Sequence, residues 1–308
     1  MAGRRFEGIY PVLYAFFDGE GRLDRHAMAL QVEHCIAAGA HGIMVLGLVT
    51  EVHKQTTAER LHLVEMVGGL IAGRVPYAVT IGEPTPDAQV DFARAAKAAG
   101  ADWVILQPPP GKGHTDADLQ RHFGGIADRL DMPAAIQNNP VNLDSSLSPD
   151  GLTALLRAHP TISLLKAEGW SVDIARVIES LGGAVQAFGG HGGLEFPSLM
   201  RSGGAGLIPA PDCVALQVAM FEAYTSGDPA RIAQADAIHQ RILPLIVFMT
   251  RSIPGLLCYG KRLMARRLGL PEPHDRAPAI APTAFGLAEM DRVFADVLAA
   301  EREFLSRG

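Results

Sequence analysis

Eight short apolar runs recur along the chain, about one every 25 to 30 residues, the length of a strand with its following helix. Near-continuous apolar character is typical of parallel strands covered on both faces. The segments between the runs are amphipathic, and several begin after Thr, Ser or Asp and end before Gly, as helices do. With no GxGxxG motif after the first run, this repetition favours an α/β fold of the closed (β/α)8 TIM barrel type over a doubly wound sheet. The runs cover residues 8–17, 42–48, 76–82, 103–107, 133–137, 162–168, 184–190 and 204–210.

The chain continues beyond the eighth unit, and the continuation has the pattern of three further helices. These helices are predicted over residues 229–250, 255–269 and 284–305, with a Pro-rich link between the last two. The sequence therefore predicts a catalytic barrel over residues 1–227. Residues 228–308 are expected to form a C-terminal helical layer that packs on the barrel.

Composition and charge exclude several classes of partner. The net charge of −6 and the pI near 6.0 leave no basic surface to neutralise phosphates, so neither nucleic acid nor an anionic membrane is an expected partner. The longest apolar run, residues 243–249, is too short to cross a bilayer, and the N-terminus has no apolar signal core. We therefore predict a cytoplasmic protein. The three cysteines lie far apart and no cluster has the spacing of metal ligands, so no metal is expected.

A lysine interrupts the sixth apolar run, "ISLLKAE", near its C-terminal end. Active sites of barrels gather at the C-terminal ends of the strands, where Lys166 would lie. Because side chains alternate along a strand, Leu164, Lys166 and Glu168 should share one face. The other four lysines fall in predicted loops or amphipathic helices, and Lys261 is expected on a basic helix face.

An amine held among apolar groups is harder to protonate, and a neutral amine can attack a ketone to form a Schiff base. The alternative is a buried Lys166–Glu168 ion pair with a structural role only. The position at the end of the sixth strand, with a carboxylate two residues later, favours catalysis by Lys166 and Glu168.

Several motifs make the chain similar to the family of dihydrodipicolinate synthase and N-acetylneuraminate lyase, the class I Schiff-base lyases. These are the eightfold period, the lysine of strand six, "GLVTE" (47–51) after strand two, "NNP" (138–140) after strand five and the trailing helices. The resemblance implies a small 2-keto acid substrate, no cofactor beyond the Schiff base to Lys166, and a homodimer or homotetramer. In that family the strand-two loop holds the keto-acid carboxylate.

The departures from the family pattern concern its proton relay. Gln137 stands where the family has a strand-five tyrosine, and an amide cannot act as acid or base. Leu48 and Val49 replace the two threonines of the strand-two loop. Residues 109–110 are prolines where the family has a tyrosine pair, and the arginine of the synthases falls at or beside Asn142.

Glu168 can supply the missing proton transfer. A strand-five Gln together with Lys-x-Glu in strand six resembles the L-2-keto-3-deoxyarabonate dehydratase branch of the family. The leading hypothesis is therefore a hydro-lyase: the iminium on Lys166 acidifies C3 of a 2-keto-3-deoxy sugar acid. Glu168 removes the C3 proton and, once protonated, assists departure of the C4 hydroxyl as water. Thr50 and the loop amides would hold the carboxylate. The predicted substrate-binding residues are Thr50, Val49, Glu51, Gln137, Asn138, Gly190, His191 and Ile208.

Three alternatives remain open. A pyruvate-dependent aldolase needs a base at the C4 hydroxyl instead of C3. The base would then stand about one bond length from the position that dehydration requires. A condensing enzyme like dihydrodipicolinate synthase would lack the tyrosine and the arginine noted above. A catalytically silent barrel could bind a keto acid without turnover.

Overall fold

The computed structural model describes residues 5–305 and contains one eight-stranded parallel sheet. The strands pair in the order β1-β8-β7-β6-β5-β4-β3-β2, so each strand lies beside its sequence neighbours. The strands are β1 Gly8–Ile9, β2 Ile43–Val45, β3 Tyr77–Ile81, β4 Trp103–Leu106, β5 Ala134–Asn138, β6 Ile162–Ala167, β7 Gln186–Gly189 and β8 Gly206–Leu207.

The sheet closes on itself between its first two strands. β1 pairs with β8 through Gly8 and Gly206, and a parallel bridge between Val12 and Met44 joins the segment after β1 to β2. Inside the barrel, Trp103 stacks on Phe188 at 5.6 Å between ring centroids. The interior is thus filled by side chains, as in other barrels of this size. The (β/α)8 prediction is confirmed.

Each strand is followed by a helix that covers the outside of the barrel. Thr56 and Thr115 each begin a helix with a reciprocal capping box, in which their hydroxyls accept from the backbone three residues on. The eight helices are α1 Arg25–Ala37, α2 Thr57–Ile71, α3 Pro86–Ala98, α4 Asp116–Ala127, α5 Pro149–Ala158, α6 Ser171–Ser180, α7 Phe196–Arg201 and α8 Val214–Thr225.

The C-terminal layer of three helices is also confirmed, although the middle one is irregular. α9 spans Pro229–Thr250 and packs against α8 and α12, which spans Ala284–Phe304. Between them, α10 (Ile253–Gly255) continues through a π-helical turn into α11 (Lys261–Arg267). The division of the chain between residues 227 and 228 stays a prediction.

Within residues 5–305 no single helix is long and apolar enough to cross a bilayer. α9 and residues 253–267 are long and apolar enough only when they are taken together, and the two bend by 109° at the break between them.

Candidate active site

Lys166 lies at the mouth of the barrel, on the face that points inward. Leu164, two residues earlier on β6, belongs to the cluster of side chains inside the barrel, whereas Leu165 packs on the outside. Lys166 pairs in register with Gln137 of β5 and is 4% exposed. Its Nζ lies 3.6 Å from Oε2 of Glu168, which directly follows the strand. The alternation predicted from the sequence therefore brings the amine and the carboxylate together.

Two amide side chains hold the Glu168 carboxylate. Its Oε2 accepts a hydrogen bond of 2.7 Å from Nε2 of Gln137 and one of 2.9 Å from Nδ2 of Asn139. Nε2 of Gln107 donates to Oε1 of Gln137 at 2.9 Å, which orients the amide nitrogen of Gln137 toward Glu168. Because an ionised carboxylate only accepts hydrogen bonds, these donors favour its charged form.

The pKa of Glu168 reflects opposing effects. Burial, the largest of them, raises the pKa because it removes water from the charged form. The electrostatic effects of Lys166 and His191, with the hydrogen bonds from Gln137 and Asn139, act against burial and leave the pKa below its usual value. Glu168 is therefore an ionised base near neutral pH, within reach of any group attached to Lys166.

Gly190 leaves the space that the Glu168 side chain occupies. A Cβ at position 190 would stand 2.3 Å from Cγ and 2.5 Å from Oε1 of Glu168. We expect Gly190→Ala to push the carboxylate away from Gln137 and Asn139 and to lower turnover by about 100-fold, the usual scale for small misplacements of catalytic groups. Steady-state kinetics with a 2-keto-3-deoxypentonate would measure this loss.

A matched glycine provides the control for this prediction. Gly69 is exposed in the last turn of α2, and a Cβ at this position would have no neighbour within 4 Å. Gly69→Ala should leave turnover unchanged and stabilise the protein by about 0.5–1 kcal/mol. Full activity of Gly190→Ala would show that the exact place of the Glu168 carboxylate does not limit turnover.

A second set of side chains connects Glu168 to the loop after β7. Oδ1 of Asn139 accepts from the backbone amides of Val141 and Asn142, at 3.2 and 2.9 Å. Nδ2 of Asn142 lies 3.0 Å from Nε2 of His191. His191 has a positive φ of 49°, a conformation that is uncommon outside glycine and is often found at functional sites. Two amides thus link the carboxylate to an imidazole across the barrel mouth.

A cavity of about 750 Å³, including the part open to solvent, lies over Lys166 and Glu168. Its polar groups come mainly from the loops of the barrel. α9 contributes an apolar side formed by Leu245, Ile246 and Met249. Among the predicted substrate-binding residues, those that line this cavity are Val49, His191 and Ile208.

The remaining predicted binding residues lie around the cavity in different roles. Gln137 donates a hydrogen bond to Glu168, and Gly190 leaves space for the Glu168 side chain, as described above. Asn138 faces away from Lys166, because its side chain exchanges hydrogen bonds with the backbone of Leu147 at 2.8 and 3.0 Å. The fully buried Thr50 donates its hydroxyl to the Leu13 carbonyl at 2.8 Å. Substrate contacts of all these residues stay predictions.

Glu51 braces the strand-two loop through two lysines. Its carboxylate is 2.5 Å from Nζ of Lys54 and forms a hydrogen-bonded ion pair with Lys261 of α11. The expectation that Lys261 lies on a basic helix face is wrong: its side chain is fully buried. Burial is tolerated because Glu51 supplies an opposite charge, with Asp275 Oδ1 at 3.9 Å. Burial nevertheless lowers the pKa of Lys261, and Glu51 acts in the opposite direction.

Sequence reasoning missed two polar groups near the reaction centre. Asn139 binds Glu168 directly, and its position two residues after Gln137 on the same strand end could have indicated a shared face. Asp212, in the loop after β8, lines the cavity, and both of its carboxylate oxygens lie within hydrogen-bond distance of the Tyr14 hydroxyl. Within residues 5–305 no three His, Cys, Asp or Glu residues are arranged to hold a metal ion.

Comparisons with known proteins agree with this architecture. A family model described as "Dihydrodipicolinate synthetase family" matches residues 5–284. A 4-hydroxy-tetrahydrodipicolinate synthase of Methanoculleus marisnigri is 31% identical over 258 residues, 81% of this chain and 87% of that protein. An Escherichia coli protein described as "Probable 2-dehydro-3-deoxy-D-pentonate aldolase" is 28% identical over 276 residues, 87% of this chain and 89% of that protein.

A solved structure shows the same fold. YagE of Escherichia coli K12, described as a prophage protein of the dihydrodipicolinic acid synthase family in complex with pyruvate, matches with a TM-score of 0.86. The match covers 96% of this chain and 99% of that chain at 23% sequence identity.

Proposed function

Because the chain belongs to the dihydrodipicolinate synthetase family, we propose that it is a lyase in which Lys166 forms a Schiff base with a 2-keto acid. The observation that carries this proposal furthest is the carboxylate of Glu168, 3.6 Å from the Lys166 amine and held by two amides. An iminium at C2 withdraws electrons from C3, and a base at this place can then remove a C3 proton. The Schiff base is the electron sink, so the mechanism needs no further cofactor.

The substrate carboxylate is proposed to bind at the loop formed by residues 47–51. The hydroxyl of Thr50 is committed to Leu13, so the backbone amides of Leu48 and Val49 are better candidates. These two residues open a 3₁₀ turn, and the first amides of such a turn have no acceptor within it. Val49 lines the cavity, and Ile208 packs with it among the inner side chains of the barrel.

Dehydration of a 2-keto-3-deoxy sugar acid, of the L-2-keto-3-deoxyarabonate type, is the reaction that we favour. A base directed at C3 suits elimination of the C4 hydroxyl, and Gln137 replaces the tyrosine that would otherwise relay protons. The apolar side formed by α9 offers few partners for hydroxyl groups, which favours a short substrate such as a five-carbon acid. The homodimer or homotetramer implied by the family resemblance stays a prediction.

An aldolase is the second candidate, and the similarity to the Escherichia coli aldolase supports it. Cleavage between C3 and C4 requires a base at the C4 hydroxyl and releases pyruvate. Synthesis of 4-hydroxy-tetrahydrodipicolinate fits less well, because Gln137 and Asn142 stand where that reaction's tyrosine and arginine are expected.

Borohydride trapping tests the proposal. Intact mass spectrometry after reduction with pyruvate, and separately with a 2-keto-3-deoxypentonate, should reveal one covalent adduct for each ligand. The adduct should be absent from Lys166→Ala, which loses the amine that lies beside Glu168. The mass retained from the sugar acid distinguishes a dehydrated species from a cleaved one.

Lysine elsewhere in the chain provides the control. Lys97 lies on the surface of α3, where it pairs with Asp131, and Lys97→Ala should form both adducts at the wild-type level. If the wild-type protein forms an adduct with neither ligand, the Schiff-base mechanism is contradicted. A barrel that binds a keto acid without turnover would then be the preferred interpretation.

A further inference from the structure

Asp212 is a buried carboxyl group that the mechanism above does not use. It lies in the 3₁₀ turn after β8, is 6% exposed, and lines the cavity that also contains Lys166 and Glu168. The Tyr14 hydroxyl lies 3.0 and 3.2 Å from its two oxygens. Within residues 5–305 no Lys, Arg or His nitrogen forms an ion pair with it.

The charged groups around Asp212 do not neutralise it. Arg267 of α11 donates to the backbone carbonyl of Asp212 at 3.1 Å and pairs with Glu301 of α12 at 2.9 Å. Cys213 follows on the same turn and is buried. The same cavity is also lined by Lys166, Glu168 and His191. A carboxyl group with one hydroxyl partner and no bonded cation is costly to ionise when it is buried.

The two carboxyl groups of the cavity therefore have opposite environments. Glu168 accepts two amide hydrogen bonds and lies beside Lys166, and the pKa of its carboxyl is lowered. Burial raises the pKa of Asp212 to about 7, against the smaller lowering effects of the Tyr14 hydrogen bond and the charge of Arg267. Two carboxyl groups separated in this way are typical of an acid and a base that act in one reaction.

We propose that Asp212 is the general acid that protonates the leaving hydroxyl group of the substrate. This inference rests on the proposed function and divides its proton transfers between two residues. Its geometric support is the placement of Asp212 on the surface of the cavity that Lys166 and Glu168 also line, with the Tyr14 hydroxyl fixing the orientation of the carboxyl group.

The proton and electron transfers of this reaction balance. Glu168 takes a proton from C3, the C–H electron pair forms the C2–C3 double bond, and the iminium electron pair moves to nitrogen. The enamine then re-forms the C–N double bond and makes a C3–C4 double bond as the C4–O bond breaks. The oxygen leaves with the proton of Asp212 as water. Glu168 afterwards releases its proton to solvent, and Asp212 takes one from solvent.

Tyr14 is a positioning residue in this scheme, because it contacts Asp212 and does not line the cavity. Its side chain is fully buried, and burial raises the pKa of the phenol, so it remains a hydrogen-bond donor. A Cβ at Gly260, in the π-helical turn, would lie 2.0 Å from the Tyr14 hydroxyl oxygen. The absence of a side chain at this position leaves room for the hydroxyl between the turn and Asp212.

Two reactions of one enzyme separate the role of Asp212 from that of Glu168. Pyruvate has no leaving hydroxyl, so exchange of its C3 protons with deuterium oxide requires Lys166 and Glu168 only. We expect Asp212→Asn to keep this exchange, followed by NMR, within about twofold of wild type. Turnover of a 2-keto-3-deoxypentonate should fall by about 100-fold, a typical contribution of a general acid.

The pH profile provides a readout that a structural role would not change. An acid must be protonated to act, so wild-type turnover should fall as pH rises through about 7, the pKa of Asp212. Asp212→Asn should abolish this basic limb. Tyr14→Phe removes a hydrogen bond that lowers the pKa of Asp212, so the limb should move to higher pH.

The outcomes distinguish this inference from the proposed function. Equal losses of exchange and turnover in Asp212→Asn, or no loss of turnover, would overturn the role of Asp212. If Asp212→Asn does not fold, an unshifted basic limb in Tyr14→Phe would overturn it instead. Failure of wild-type protein to exchange pyruvate protons or to form a trapped adduct would overturn the Schiff-base mechanism itself.

Discussion

Glu168→Gln is expected to form the Schiff base at the wild-type level and to lose about 10²–10⁴-fold in turnover, the usual contribution of a positioned general base. Glutamine has nearly the same shape as glutamate, and its carbonyl oxygen can still accept from Gln137 and Asn139. It cannot take a proton from C3. Binding and iminium formation should therefore survive while proton removal fails.

Two measurements on the same variant separate these steps. Borohydride trapping with pyruvate should give the same yield of adduct as wild type, and single-turnover kinetics with a 2-keto-3-deoxypentonate should show the loss. Glu195→Gln is the matched control at the same end of the barrel, since this carboxylate accepts from the backbone amide of Ser171 and does not line the main cavity. Wild-type turnover in Glu168→Gln would exclude Glu168 as the base.

Glu51→Gln is expected to lower the free energy of unfolding by about 3–5 kcal/mol, the cost of breaking a buried ion pair by removing one partner. Glu51, Lys54 and Lys261 are almost completely buried, so the substitution leaves two ammonium groups without their shared carboxylate. The glutamine side chain occupies the same space, and the loss therefore reports charge and not volume.

The same variant should show a characteristic dependence on pH. The pKa of Lys261 is lowered in the folded protein, and removing Glu51 removes the contact that counteracts this effect. The unfolded chain then binds more protons than the folded one, so stability should rise as pH approaches about 10, the pKa of lysine in an unfolded chain, and do so more steeply than in wild type.

Denaturant unfolding at a fixed protein concentration measures both effects. Asp131→Asn, which removes the exposed partner of Lys97, serves as the control and should cost less than about 1 kcal/mol. A loss of this small size in Glu51→Gln would show that the strand-two loop does not depend on the buried pair.

The architecture was predictable because apolar periodicity and cap residues act over short distances. All eight strands lie within the predicted runs, apart from the last residue of β5, but they are shorter; the first run covers 8–17, whereas β1 pairs only at Gly8–Ile9. Pro11 has no amide hydrogen to donate toward β2, although the amides of Tyr10 and Val12 still donate to the carbonyls of Leu207 and Pro209 at 2.9 and 2.8 Å. Apolar patterning indicates burial, and burial inside a barrel extends beyond the paired residues.

The candidate site was only partly predictable, because its geometry depends on distant segments. Lys166 and Glu168 follow from alternation on one strand. Lys261 is different, because its charge indicated a solvent-exposed helix face. The residues around it in the sequence do not reveal that it forms a buried ion pair with Glu51, 210 residues earlier. Asp212 likewise gains its environment from Tyr14 and the C-terminal helices, and these contacts cannot be read from the turn that contains it.

α9 gives the cavity its apolar side, while Lys166 and Glu168 come from the barrel. The proposed catalytic side chains and the apolar side of the cavity are thus encoded in separate stretches of the gene. Recombination or drift in the later stretch could change which keto acid is accepted without disturbing the lysine and its base. A lineage that carries this arrangement can acquire new substrates while its chemistry is inherited intact.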